Sequence, residues 1–461
     1  MITDSSLTTN RYPPVHNTNL SSSQDELKQI TQDILAQARN FGASGAEAEV
    51  STGVGQNVTV RKGEVETIEY NRDKGISVTV YFGKQRGNAS TSDLSPQAIR
   101  DTVQAAASIA KYTAADDFSG LADETLLARG KTADLDLYHP WDISVEESIE
   151  LARRTEAVAF AVDARITNSE GASVSTHQAN FVYANSLGFC NGFATSRHGL
   201  SCSVIAGKED GMQRDYWYTT ARDASVLESP EAVGRLAGER TVARLNARKL
   251  STRATPVVFD PAQAAGLIGH FVSAASGGSL YRKSSFLLDS IGTQIFAPFI
   301  QIREAPHIRG GLASSPFDDE GVATRERDVV KDGVLQGYFL GSYSARKLGM
   351  QSTGNAGGNH NLLLESGDLD FTGLIRKMNT GFVVTELLGH GVNPVTGDYS
   401  RGAAGFWVEN GEIQFAVEEV TIAGNLVDMF RNIVAVGNDV LVRGSKQCGS
   451  ILVAEMTVAG E

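Results

Sequence analysis

The first clear periodic pattern of apolar residues predicts a helix that starts after Ser23. Ser23 and Glu26 have capping-box spacing, in which each side chain accepts a backbone N–H at the helix start. One helical face then carries Leu27, Ile30, Ile34, Ala38 and Phe41. Gly42 follows, and glycine often ends helices because it adopts the left-handed conformation without strain.

Three further helices are predicted from serine N-caps that are followed by proline or, three residues on, by glutamate. They begin at Ser95-Pro96 (to about Tyr112), at Ser144 with Glu147, and at Ser229-Pro230 (to about Asn246).

Between these helices, alternating apolar and polar residues predict short strands. These strands flank a turn at Lys62-Gly63, continue at 76–80, and resume around Ile166, Val174, 181–183 and 201–204. Residues 121–141 carry little pattern and are interpreted as a connection.

Beyond residue 250 the pattern changes to one helix, from about Pro261 to Ser276, followed by many short apolar runs. These runs lie at 333–335, 382–384, 406–408, 413–415 and 451–453. More than half of the 47 glycines also lie in this part. Short strands with dense turn signals favour a curled sheet or a barrel-like core, with strand direction left open.

The elements together predict an α+β (mixed α/β) protein. At 461 residues the chain exceeds what a single core usually supports. We expect a flexible polar tail at 1–23, an N-terminal α/β domain of strands and long helices at 24–249, and a C-terminal β-rich domain at 250–461.

Composition and charge exclude several functional classes. The net charge of −13 disfavours binding to a nucleic-acid backbone. No apolar run reaches the roughly 18 residues of a membrane-spanning helix, and the polar start lacks the features of a signal peptide. Three cysteines without a spacing pattern fit a reducing compartment. We therefore expect a cytoplasmic protein without nucleic-acid or membrane partners.

Standard catalytic and metal motifs are absent from the sequence. It contains no H-E-x-x-H, P-loop, G-x-S-x-G or C-x-x-C motif. The eight histidines include no pair three to five residues apart, so no local zinc site is indicated.

Three polar, glycine-rich stretches and one cysteine remain as candidate site residues. They contribute His270, Arg282, Lys283, Asn359, His360, His390 and Cys448. Each has an ordinary structural interpretation beside the functional one: a capped helix end with a solvated basic pair, a surface turn at 353–361, a structural histidine between glycines, and a small buried cysteine.

These stretches, with others, resemble the TldD/TldE (PmbA, modulator of DNA gyrase) family of metallopeptidases. The similar segments are Gly-Ile-Ser-Val at 75–78, 87–91, 168–172, 184–189, the run at 398–411 that closely resembles the PmbA branch, and the chain's end at 448–460. The resemblance covers roughly residues 25–461.

The resemblance also implies that this chain lacks the family's zinc site. The zinc-bearing member carries H-E-x-x-x-H before an Arg-Lys pair, and a late cysteine. Anchored on Arg282-Lys283, the three motif positions fall on Gly269, His270 and Ala274, and only Cys448 is retained. We therefore expect no catalytic residue and no metal ligand set here, with zinc implied in a partner.

The resemblance implies a non-zinc subunit that pairs with a TldD-like zinc subunit and helps to enclose extended peptide substrates; without that partner it can form a homodimer. The seven candidate residues above are then substrate-cavity candidates. Two alternatives are a non-enzymatic homodimeric regulatory protein and an independent hydrolase that uses Cys448 with His270, His360 or His390.

Overall fold

The computed structural model describes residues 20, 22–130 and 133–460. Most of the expected polar tail at 1–23 lies outside the described residues. The protein is a mixed α+β structure, which confirms the predicted fold class.

The first half consists of four helices and a sheet of long strands. The helices are α1 (Gln24–Asn40), α2 (Pro96–Tyr112), α3 (Val145–Val162) and α4 (Pro230–Ala243). The strands are β1 (Gly45–Arg61), β2 (Glu64–Phe82), β3 (Gln85–Thr91), β4 (Ile166–Asn185), β5 (Cys190–Ala206) and β6 (Gln213–Ala221).

The predicted helix starts are confirmed by their capping contacts. Reciprocal capping boxes form at the starts of α1 and α3, and a proline follows the serine N-caps of α2 and α4. Gly42 has the left-handed backbone expected of it, with φ of +85°. Phe41, which was grouped with the apolar face of this helix, is its C-cap and is 38% exposed.

The prediction of short strands in this half was wrong. Strand β4 alone runs for 20 residues through segments that were expected to be separate. Its middle carries buried polar side chains, including Gln178 and Asn180, so the apolar alternation is interrupted while the strand continues. The predicted turn at Lys62-Gly63 is confirmed, with both residues at positive φ.

The six strands form one antiparallel sheet in the order β3-β2-β1-β4-β5-β6. Every even-numbered residue of β1 from Ala46 to Val60 is buried, because alternate side chains of a strand point to the same face. Helices α1 and α2 pack over one end of this face, and α3 and α4 pack over the other.

The opposite face of the sheet meets the second half of the chain. There Tyr183 and Phe189 pack with Phe317 and Val322 in a small apolar cluster. Odd-numbered β1 residues, including Glu47, therefore point toward the second half.

The second half combines short helices with many strands. The helices are α5 (Pro261–Ala274), α6 (Gly277–Tyr281), α7 (Ser342–Lys347), α8 (Phe371–Met378) and α9 (Leu426–Arg431). The strands are β7 (Arg253–Phe259), β8 (Ile302–Glu304), β9 (Arg327–Lys331), β10 (Val334–Leu335), β11 (Leu362–Leu364), β12 (Gly381–Leu388), β13 (Asp398–Glu409), β14 (Glu412–Asn425), β15 (Ile433–Val436), β16 (Lys446–Gln447) and β17 (Ile451–Ala459).

A closed barrel organises this half, as the dense short strands predicted. Its strands follow the order β14-β13-β12-β7-β17, and pairing of β14 with β17 closes the ring. Only β7 and β12 pair in parallel among these described strands. A separate sheet, β10-β9-β8-β11-β16, lies beside the barrel.

Helix α5 belongs to the main core of this half. Its Leu267, Ile268 and Phe271 are buried against barrel residues, while α8 covers a second apolar cluster. Helix α5 ends at Ala274, close to the predicted end near Ser276, and the short α6 begins at Gly277. None of the described helices is long and apolar enough to cross a membrane.

Candidate functional site

Helix α5 carries the positions that sequence analysis singled out first. Asp260 caps it by accepting the N–H of Gln263, and Pro261 supplies the first turn. Since the apolar side chains face the core, the opposite side of the helix presents Gly266, His270 and Ser273, of which Gly266 and Ser273 are exposed.

His270 is half-buried on this side of α5. Its ring lies 5.9 Å from the ring of Tyr399, edge to face. Burial lowers the pKa of His270, and the positive charge of Arg401 lowers it further. The imidazole is therefore neutral near pH 7 and can exchange hydrogen bonds with a bound polar group.

The positions around His270 do not fit a zinc ion. Gly269 has no side chain, and a β-carbon there would lie 3.5 Å from Cε of Lys446. Ala274 is 2% exposed and offers only a methyl group. A cationic Lys446 beside Gly269 would also repel a metal. No group of three or more His, Cys, Asp or Glu side chains suited to a metal exists within the described ranges 22–130 and 133–460.

Cys448 lies in the main core and is 1% exposed. Burial raises the pKa of its thiol to about 12, and the carboxylate of Asp439 adds to this rise. The sulfur is thus a protonated thiol, a poor metal ligand and a poor nucleophile at neutral pH. The structure buries Cys448 as the ordinary interpretation of this residue expected.

Two other predicted segments border the exposed side of α5. The hydroxyl of Ser285, just after Arg282-Lys283, donates to the carbonyl of Ala274 at 2.7 Å. The N–H of Phe286 donates to the carbonyl of Pro394, in the loop that carries His390. Arg282, Lys283 and His390, which belong to these two segments, are all exposed.

Asn359 and His360 lie elsewhere, in a loop at 353–361 that is buried at 354–355 and 360–361 and exposed at 357–358. Glu304 is 1% exposed and accepts the N–H of His360 and the amide of Asn355, each at 2.8 Å. Arg327 pairs with the other carboxylate oxygen at 2.8 Å. The buried part of this loop is therefore a polar element of the core, and the interpretation of 353–361 as an ordinary surface turn was wrong.

A polar cavity lies between part of the N-terminal sheet and this second half. It encloses about 1020 Å³. Its lining includes Glu47, Arg86, Tyr281, Glu320, Tyr343 and Lys347. Tyr281 precedes Arg282, whose Nη1 donates to the Tyr281 hydroxyl at 3.0 Å.

Glu47 is one of several titratable residues of this cavity that sequence reasoning missed, and it is deeply buried. The hydroxyls of Tyr81 and Tyr183 donate to its two oxygens at 2.9 and 2.8 Å. Burial raises the pKa of Glu47, and the charge of Glu320 raises it further. No sequence signal distinguished Glu47, because a polar residue alternating with alanines on a strand is ordinary.

Family models for three consecutive domains match most of the chain. They are the PmbA/TldA metallopeptidase domain 1 at 46–110, central domain at 138–245 and C-terminal domain at 252–460.

Individual relatives match over almost the full length. "Metalloprotease PmbA" of Escherichia coli O157:H7 is 54% identical, covering 91% of this chain and 93% of that protein. From Haemophilus influenzae, "Metalloprotease PmbA homolog" is 50% identical, covering 96% and 98%. "Metalloprotease TldD homolog" of the same organism is 23% identical, covering 80% of each chain.

Solved structures share the fold. A candidate modulator of DNA gyrase from Bacteroides thetaiotaomicron superposes with a TM-score of 0.90 at 27% identity, over 95% of this chain and 99% of that one. TldE from Thermococcus kodakarensis superposes with a TM-score of 0.81 over 94% and 100%; at 20% identity, this likeness concerns the fold alone.

Proposed function

The chain belongs to the PmbA/TldA metallopeptidase family, and from this premise we propose that it is the non-zinc subunit of a two-subunit peptidase. The observation that carries the proposal is the pair Gly269 and Ala274, which stand where the zinc-bearing branch has histidines. Neither residue has a side-chain donor, and Cys448 alone could not hold a catalytic zinc.

The degree of identity to two relatives of one organism supports the same assignment. The chain is 50% identical to the PmbA homologue of Haemophilus influenzae but 23% identical to its TldD homologue. An organism that keeps both kinds of protein fits a division of labour between two different subunits.

In this proposal a TldD-like partner supplies the zinc and the general base, in the cytoplasm. This chain supplies part of an enclosed wall for unfolded or extended peptides, which are held through backbone hydrogen bonds with little sequence selectivity. His270 at the exposed side of α5 and Arg282, Lys283 and His390 beside it are the residues we expect to face substrate. Asn359 and His360 would contribute through the loop that they hold in place.

We further propose that the chain divides near residue 249, into 24–249 and 250–461. All strands of the first sheet lie within the first part, and all barrel strands lie within the second.

The decisive experiment measures hydrolysis of an unstructured peptide by this chain alone, by an H-E-x-x-x-H paralogue alone, and by their mixture, each with and without chelator. We expect the mixture to be far more active than either chain, and the chelator to abolish that activity. Chelator-sensitive hydrolysis by the pure chain alone would contradict the proposal.

Variants of the complex test the substrate-facing residues. Arg282→Gln should lower kcat/KM severalfold while the melting temperature stays unchanged, because Arg282 is exposed. Lys377→Gln, an exposed cation on α8, is the matched control and should leave kcat/KM as it is. Equal activity of both variants and the wild type would remove Arg282 from the substrate wall.

The two alternative functions make different predictions in the same assay. An independent cysteine hydrolase is opposed by the burial of Cys448 and the raised pKa of its thiol. A non-enzymatic homodimer would leave the activity of the paralogue unchanged in the mixture.

A further inference from the structure

A groove between the two halves of the chain lies at the start of α5, away from the cavity that contains Glu47. Two connected pockets form it, of about 620 and 360 Å³, which share Arg240, Thr385, Phe406 and Ile413. Arg240 comes from α4 of the first half, whereas Phe406 and Ile413 come from barrel strands β13 and β14.

Arg443 enters the smaller pocket from the second half. Its guanidinium carbon lies 4.0 Å from the ring centres of both Trp217 and Tyr218, so aromatic rings fix its plane. Its carbonyl accepts Nη2 of Arg197 at 2.9 Å, which fixes the backbone as well. The side chain is thus pre-positioned before any ligand arrives.

Donors in this pocket lack partners. Nε and Nη2 of Arg443, Nε of Arg240 and the hydroxyl of Thr385 are buried without a hydrogen bond to any described residue. Buried donors in proteins are nearly always satisfied, so several at one place indicate an absent acceptor. Nε and Nη2 together form the edge of a guanidinium that binds a carboxylate through two parallel hydrogen bonds.

The other residues that line the pocket favour a small ligand with a single negative charge next to an apolar group. Arg240 already pairs with Asp215 at 3.3 Å and lies 3.9 Å from Asp260, so a dianion such as phosphate would meet nearby carboxylates. Phe371, Phe406 and Leu441 supply apolar walls. A volume of about 360 Å³ suits one or two amino-acid residues.

We propose that this pocket binds the C-terminal carboxylate of a peptide that ends in an apolar residue, with Arg443 as its bidentate partner. The peptide's role as a substrate rests on the function proposed above. Ala262 lines the pocket, and His270 lies eight residues further along the same helix, roughly 12 Å away at 1.5 Å per residue. About four residues of extended peptide would span that distance.

The test compares two forms of one probe on the isolated full chain. An N-acetylated tripeptide ending in phenylalanine is titrated as the free acid and as the C-terminal amide, by calorimetry and by intrinsic tryptophan fluorescence, to which Trp217 of the pocket contributes. We expect the acid to bind at least tenfold more tightly than the amide. Arg443→Lys, which keeps the charge but removes the planar fork, should abolish this preference, with its melting temperature recorded as a folding check.

Arg235→Gln is the matched control, since Arg235 is an exposed cation on the same helix as Arg240. It should retain the acid preference. Equal binding of acid and amide by the wild type, or an acid preference that survives Arg443→Lys, would overturn the assignment. Because this assay needs no partner, its outcome is separate from the peptidase assay: a carboxylate site without peptidase activity in the mixture would reject only the proposed function.

Discussion

The buried carboxylate of Glu304 gives a quantitative test of how the loop at 353–361 is held. Its two oxygens accept Nε of Arg327, Nδ2 of Asn355 and the N–H of His360, each at 2.8 Å. In Glu304→Gln the amide oxygen can still accept from Asn355 and His360. The new NH₂ group, however, would face the Nε–H of Arg327, so two donors would meet.

The magnitude follows from burial. Breaking a fully buried ion pair costs about 3–5 kcal/mol. Glu304 is 1% exposed but Arg327 is 19% exposed, so water relieves part of the cost, and we expect roughly 2–3 kcal/mol. If the loop opens locally, a loss of this size raises the rate of amide hydrogen exchange in 353–361 by roughly 30- to 150-fold, at 1.4 kcal/mol per factor of ten.

Hydrogen exchange read by mass spectrometry suits this test, because a chain with several cores need not unfold in one step. Glu326→Gln is the matched control: Glu326 pairs with Arg303 near the same strands, but their side chains are 51% and 54% exposed. An exposed pair contributes at most about 1 kcal/mol, so exchange should rise by less than about fivefold. Equal exchange in the two variants would refute the reasoning that burial sets the cost.

Three further expectations concern stability and reactivity. Burial raises the pKa of Asp260 from 3.8 to about 6, so the folded state favours the protonated form of this carboxyl. The protonated carboxyl therefore adds to the stability of the fold in full below pH about 4, and this contribution is lost as the pH rises through about 6. Asp260→Asn, which keeps a helix cap, should therefore raise the free energy of unfolding by roughly 2–3 kcal/mol at pH 7.5 but not at pH 4, in thermal scans at both values. Gly405→Ala should destabilise the barrel, because a β-carbon there would lie 1.8 Å from a backbone oxygen of β12. Gly266→Ala, on the open side of α5, should instead stabilise the protein by about 0.5–1 kcal/mol. Similar melting temperatures of the two variants would contradict this expectation. In native protein, iodoacetamide should modify the partly exposed Cys190 well before the buried Cys448, as peptide mapping would reveal.

The local signals of the sequence located the helices of the first half closely. Serine caps at Ser23, Ser95, Ser144 and Ser229 begin helices because each side chain satisfies an N–H that the helix leaves free. The strands were harder to bound. Hydrogen bonding to neighbouring strands carries β4 through its polar middle, and this depends on partners distant in sequence.

The features of the candidate site could likewise be predicted from the sequence only in part. Gly269 and Ala274 cannot ligate a metal, and the sequence is enough to show this because it depends on side-chain chemistry alone. The sequence also predicted a curled or barrel-like second half from its dense turns. The closure of β14 on β17 followed from strand register, which no local pattern records.

Burial and long-range approach were decided by the tertiary structure alone. The sequence could not distinguish a reactive Cys448 from an inert one, because the pKa of a thiol depends on the water and charges around it. Nor could it bring Arg240 and Arg443, some 200 residues apart, into one pocket with unpartnered donors. Residue types and local hydrogen bonding determine caps, turns and missing ligands, whereas the environment of a side chain is set by segments that only the folded chain places beside it.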